Sequence, residues 1–166
     1  MQISLIFLPF FIIAGCGYHL VGWDSSLPTH IQSIAIPLFS NKSIEPGIEH
    51  ELTARVREEF ITDGRLKVVE EDRADTILSG EINRYSLIPL SFDSQDNVTE
   101  YRVEMEISVK LKDIKDTLLI NQMLDSKWDY EVKRELTSTE ERRISAIKYA
   151  SRDFARRLVN IVIGGF

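Results

Sequence analysis

Apolar and polar residues alternate most cleanly between Tyr101 and Lys112. Tyr101, Val103, Met105, Ile107, Val109 and Leu111 alternate with Arg102, Glu104, Glu106, Ser108, Lys110 and Lys112. A period of two predicts a strand with one buried and one wet face. Ahead of it, "ADTILSGEINRYSLIPLSF" reads as a longer strand, in which Gly80 or the shift of apolar phase near Arg84 marks a bulge. Behind it, Ile120, Leu124, Trp128, Tyr130 and Val132 share a parity in a third strand. The polar stretches "DSQDN" and "IKDT" turn the chain between them, so the three strands form an antiparallel meander.

Elsewhere the period lengthens to nearly four. Ile48, Leu52, Val56 and Phe60 fall on one face of an amphipathic helix, with Ser43 as a candidate cap, Pro46 in the first turn and Asp63-Gly64 as its stop. A last helix of about six turns opens at "STEE", where Ser138 and Glu141 have capping-box spacing, and lines Ile144, Ile147, Ser151, Phe154, Leu158 and Ile161 along one side. "IQSIAIPLF", Ile31 to Phe39, is a first strand with Pro37 at an edge or an end, and "RLKVVEE" is a short one. The order β-α-β-β-β-β-α predicts an α+β fold: two helices packed on one face of a mainly antiparallel or mixed sheet of four to five strands. Residues 31–166 are expected to form this single sandwich domain.

The first thirty residues read differently. Residues 1–15 hold no Asp, Glu, Lys or Arg, and their apolar run falls short of the roughly 20 residues a membrane-spanning helix needs. They have the composition of a secretory signal peptide ending at the small residues Ala14 and Gly15, directly before Cys16. Ile-Ala-Gly-Cys is similar to the lipobox of bacterial lipoproteins, which implies cleavage before Cys16 and acylation of its thiol and of the new amine. A lone cysteine excludes an internal disulfide. Several acyl chains on one terminus exceed what stable membrane anchoring requires. Residues 16–30 then form the lipidated terminus and a Gly-, Ser- and Pro-containing tether.

Charge narrows the function. The net −6 lies entirely from Asp24 onward, which disfavours nucleic acid, whose binding rests on clustered Lys and Arg. The three histidines, His19, His30 and His50, fall in the tether, a loop and an exposed helical turn, without metal-ligand spacing. No nucleophile–base set, P-loop or dinucleotide glycine pattern stands out, so no enzyme activity, metal or cofactor is expected. The triplets Asn41-Lys42-Ser43 and Asn97-Val98-Thr99 arise by chance in an exported bacterial chain. Two basic groups carry the remaining candidate chemistry. Arg142, Arg143, Lys148, Arg152, Arg156 and Arg157 on the last helix read first as a solvated face, and more sharply as a contact for an anionic headgroup or partner. Arg84 and Arg102, on neighbouring arms of one hairpin, are the candidate site for a lipid headgroup, since a guanidinium fork suits phosphate.

"GCGYHLVG", "LPTHIQSIAIPLFSNKSIEPGIEHELTARVREEFITDGRLKVV", "ADTILSGEI", "EYRVEMEISVKLKD" and "AIKYASRDFARRLV", in this order, resemble the LptE family of lipopolysaccharide-assembly lipoproteins in its deltaproteobacterial form. The resemblance covers nearly the whole chain after Cys16. It implies a non-enzymatic outer-membrane lipoprotein on the periplasmic side. Such a protein plugs the LptD β-barrel, helps it assemble and binds lipopolysaccharide on its way to the outer leaflet. Gly17 after the lipidated Cys16 is compatible with outer-membrane sorting. The alternative is a generic lipid-anchored periplasmic adaptor or activator of a cell-wall or secretion machine.

Overall fold

The computed structural model describes residues 27–132 and 136–164, apart from the side chains of 136–138. The signal segment, Cys16, most of the tether and the Ser138 cap lie outside the described residues. Six strands and two helices follow in the order β1 (Ser33–Ala35), β2 (Ser40–Asn41), α1 (Ile48–Asp63), β3 (Lys67–Val68), β4 (Thr76–Phe92), β5 (Val98–Asp113), β6 (Leu118–Glu131) and α2 (Leu136–Gly164). The sheet runs β3-β1-β4-β5-β6, with β2 also beside β4. β1 is parallel to β3 and β4, and β2 is parallel to β4, while β4, β5 and β6 form the expected antiparallel meander. The fold is α+β with a mixed sheet, one or two strands richer than the pattern predicts.

Pro37 explains the extra strand. Proline cannot donate to a ladder, so the chain leaves the sheet after Ala35 and rejoins β4 at Ser40. Side chains of α1 satisfy the backbone of this gap: Arg57 Nε donates to the Ile36 carbonyl at 2.7 Å, and the Phe39 N–H donates to Thr53 Oγ1 at 3.0 Å.

The segment "AD..L.G.I" fastens this interrupted edge to β4. The Asp75 carboxylate accepts from the backbone N–H groups of Gln32 and Ser33 and from the Ser33 hydroxyl, at 2.7 to 3.0 Å. Leu78 and Ile82 are fully buried. Gly80 sits in regular register opposite Val109, and a Cβ there would lie 2.3 Å from the Phe39 ring. Glycine is present because an aromatic ring occupies the side-chain position. The bulge instead lies between Ile82 and Arg84, and it lets both Ile82 and Tyr85 face inward.

One core joins sheet and helices. Val103, Met105, Ile107, Val109 and Leu111 of β5 are fully buried together with Leu52, Val56 and Phe60 of α1 and Phe154 and Leu158 of α2. Helix α1 starts later than Ser43 and Pro46 suggest: Gly47, at φ 81°, is its cap. It stops as expected at Gly64, φ 72°, whose N–H reaches the Phe60 carbonyl. Helix α2 begins at Leu136, ahead of the Ser138–Glu141 pair, and runs 29 residues. Ala146 and Ala150 bring it close to β6, where the buried Ser126 hydroxyl donates to the Ala150 carbonyl at 2.7 Å. Ile144, expected in the apolar stripe, is 43% exposed.

Candidate functional site

The face of the sheet turned away from the helices carries the second residue of each alternating pair, and cross-strand register decides what those residues meet. Arg102 stands opposite Asp129 and grips it through two bonds, Nε–Oδ1 at 2.6 Å and Nη2–Oδ2 at 2.7 Å. Lys127 lies 2.9 Å from Glu104, Arg84 lies 3.1 Å from Glu106, and Lys42 lies 2.8 Å from Glu81. These pairs form a ladder across β4, β5 and β6 and the β2 edge. Bonding to Arg102 holds the Asp129 carboxyl below its usual range, and bonding to Lys42 does the same for Glu81.

Arg84 and Arg102 share this face but do not meet. Arg84 is opposite Glu106 and Arg102 is opposite Ile88, a separation of four residues along β5, or about 13 Å. Each guanidinium engages its own carboxylate, Arg84 with Glu106 and Arg102 with Asp129.

Two further features flank the ladder. Beyond the bulge, β4 has β5 as its only strand neighbour among the described residues, so it is the edge strand here while β5 stays paired with β6 on its other side, and it exposes Leu87, Ile88 and Phe92, the last by 57%. The turn at its tip and the turn between β5 and β6 share one design without glycine. Asp93 and Asp113 each accept backbone N–H bonds two and four residues on, while Asp96 (φ 61°) and Asp116 (φ 63°) take the left-handed position. On the helix side, Arg143 gathers Glu140 at 2.6 and 2.8 Å, Glu45 at 2.8 Å and the Tyr85 hydroxyl at 3.4 Å, and these bonds raise its pKa. This knot ties α2 to the segment that leads into α1. It spends Arg143 on structure. Burial pushes the neighbouring Tyr130 hydroxyl up to about 12, so it stays protonated.

A cleft of about 230 Å³ between the start of α1 and α2, lined in part by Glu45, Ile48, Arg143 and Lys148, is below the usual range of ligand pockets, whereas a hollow of about 450 Å³ lies over Arg102, Lys127, Trp128 and Asp129. Among the described residues no three His, Cys, Asp or Glu side chains cluster as metal ligands, and no helix is long and apolar enough to cross a membrane. His50 is an exposed residue 3.7 Å from Glu49. The Asn41 side chain, which begins a chance triplet, instead builds a loop: it donates to the Glu45 carbonyl and to Glu49, both at 2.8 Å.

Three solved structures share the fold. A minor lipoprotein from Acinetobacter baumannii has 8% identity and a TM-score of 0.55, covering 80% of this chain and 91% of its own. A putative lipoprotein from Caulobacter crescentus has 13% identity and a TM-score of 0.53, covering 72% and 83%. The rare lipoprotein B from Shewanella oneidensis has 20% identity and a TM-score of 0.52, covering 74% and 90%. At these identities the likeness is one of fold. No curated protein matches the chain. The model of one family, LptE (lipopolysaccharide-assembly), matches residues 31–161, from the start of β1's approach to the last turns of α2. With most of its length inside that match, the chain belongs to the LptE family of lipopolysaccharide-assembly proteins.

Proposed function

We propose that this chain is a non-enzymatic, lipid-anchored plug of an LptD-like outer-membrane β-barrel. In this reading it is held at the periplasmic side of the outer membrane through acylated Cys16, assists assembly of the barrel and contacts lipopolysaccharide during its transfer to the outer leaflet. The family match over residues 31–161 carries the proposal. The ion-pair ladder supports it physically. A barrel lumen is polar, and a face whose charges are already matched can stand there without presenting unpaired charge to the wall. The headgroup contact is proposed at Arg84 and Arg102, where phosphate replaces Glu106 and Asp129 as the guanidinium partner.

Deletion tests this reading: it is expected to deplete correctly assembled barrel and surface lipopolysaccharide together. Normal export on deletion, with a cell-wall enzyme bound instead, would assign the chain to the adaptor class. Arg84→Glu with Arg102→Glu is expected to weaken lipopolysaccharide binding while leaving the barrel complex intact. Unchanged binding by that folded double variant would remove the site and keep the partner.

A further inference from the structure

The solvent side of α2 carries a row of exposed cations. Lys148, Arg152 and Arg156 recur at intervals of four along it, with Arg142 a turn and a half earlier, and the three are exposed. Among the described residues Lys148 and Arg152 make no ion pair. Arg142 and Arg156 approach carboxylates only at 3.9 Å (Glu131) and 3.8 Å (Glu59). The nearby Asp153 is taken by Arg157 at 3.0 Å, and Arg157 also donates to the Asp125 carbonyl of β6. The remaining cations direct their field into solvent. Beside them lies an aromatic pair, Trp128 and Tyr149, stacked at 5.0 Å and 19°, with 39% and 51% of their surfaces exposed.

We infer that this stripe lies against the anionic phospholipid surface of the membrane to which the chain is attached. Long cations in a row along one helix face, with half-buried aromatics at their flank, suit a flat headgroup layer: the stems lie on the surface, the charged ends reach phosphate, and Trp and Tyr rings sit at the polar–apolar boundary. An acidic protein would call for cations set at fixed, converging positions instead. The inference rests on the membrane attachment proposed above and concerns the attached domain before a barrel encloses it, since a face inside a barrel lumen does not meet the headgroup layer.

The test is mass-spectrometric footprinting of the full chain reconstituted in vesicles of phosphatidylcholine, with or without phosphatidylglycerol. Acetylation of Lys148 is compared with that of Lys42 and Lys67. Flotation with the vesicles reports attachment separately. Lys148 is expected to react roughly fivefold more slowly when phosphatidylglycerol is present, as fits one cation near an anionic leaflet, with Lys42 and Lys67 unchanged. High salt should abolish the difference. Arg152→Glu with Arg156→Glu should also abolish it, since both side chains are exposed and can be exchanged without unfolding, as an unchanged melting temperature will verify. Equal reactivity of Lys148 in both kinds of vesicle by a protein that floats overturns the inference. So does protection that appears only when an acidic protein is added.

Discussion

The two halves of β4 differ in what surrounds them, and the bulge at Asn83 divides them. From Thr76 to Ile82 the strand has neighbours on both edges, β1 and β2 on one and β5 on the other, and Leu78 and Ile82 are fully buried. From Arg84 to Phe92 only β5 remains, the outer face is held by ion pairs, and Leu87, Ile88 and Phe92 are exposed. In the first half the Thr76 hydroxyl is spent on the Ser33 carbonyl and Glu81 alone holds an exposed ion pair, with Lys42. In the second, Arg84 and the facing Arg102 of β5 are held in exposed ion pairs. Substitution in the first half should therefore unfold the protein, and substitution in the second should change what it recognises.

The largest expected effect is at Gly80. An alanine Cβ would meet Phe39 ring carbons at 2.3 Å, and overpacking of this kind costs about 1–3 kcal/mol. Gly80→Ala should lower the denaturant midpoint by a matching amount, and adding Phe39→Leu should restore part of the loss. Full additivity of the two changes would contradict a direct clash. Thr53→Val comes next. It orphans the buried Phe39 N–H, at a cost of about 1–3 kcal/mol, and equilibrium unfolding reads the result.

Asp75 sharpens the contrast through pH. The Ser33 hydroxyl and then the Gln32 N–H hold its carboxyl below the usual value in the folded state, so folding is favoured while the group stays ionised. The contribution is present above the unfolded pKa, about 3.9, and is lost as pH falls through the lower folded value. Asp75→Asn should lower stability at pH 7 and flatten its decline below pH 4, as denaturation across that range will test. A smaller effect is expected at Ser151, whose buried hydroxyl has no hydrogen-bond partner among the described residues. Ser151→Ala is expected to be neutral or to stabilise by up to about 1 kcal/mol. The smallest effects on stability belong to the outer half: Arg102→Gln should weaken lipopolysaccharide binding and Phe92→Ser should weaken barrel capture, each leaving the melting temperature in place. A large loss of stability from either would erase the distinction between the halves.

Much of this was legible from periodicity. Ile48, Leu52, Val56 and Phe60, and the inward residues of β5, are core positions because a helix repeats near 3.6 residues and a strand every two. The turns at "DSQDN" and "IKDT" are legible because aspartate accepts local backbone bonds. Whatever depends on a distant neighbour stayed hidden. The shift of apolar phase near Arg84 marks the bulge that the register shows, whereas the other candidate, Gly80, is explained only by the Phe39 ring, forty-one residues earlier in the chain. The parallel pairing of β1 with β3 and β4 is a tertiary choice made through α1. The site reading met the same limit. Arg84 and Arg102 are recognisable as exposed arginines on one face, but their separation and their carboxylate partners follow from register, which no local pattern encodes.

The most direct test of the plug reading is affinity purification of tagged full-length protein from detergent-solubilised outer membranes, with mass spectrometry of what stays bound. A large β-barrel recovered at equal stoichiometry is the predicted result. Recovery of a cell-wall enzyme alone, or of no partner, would contradict it.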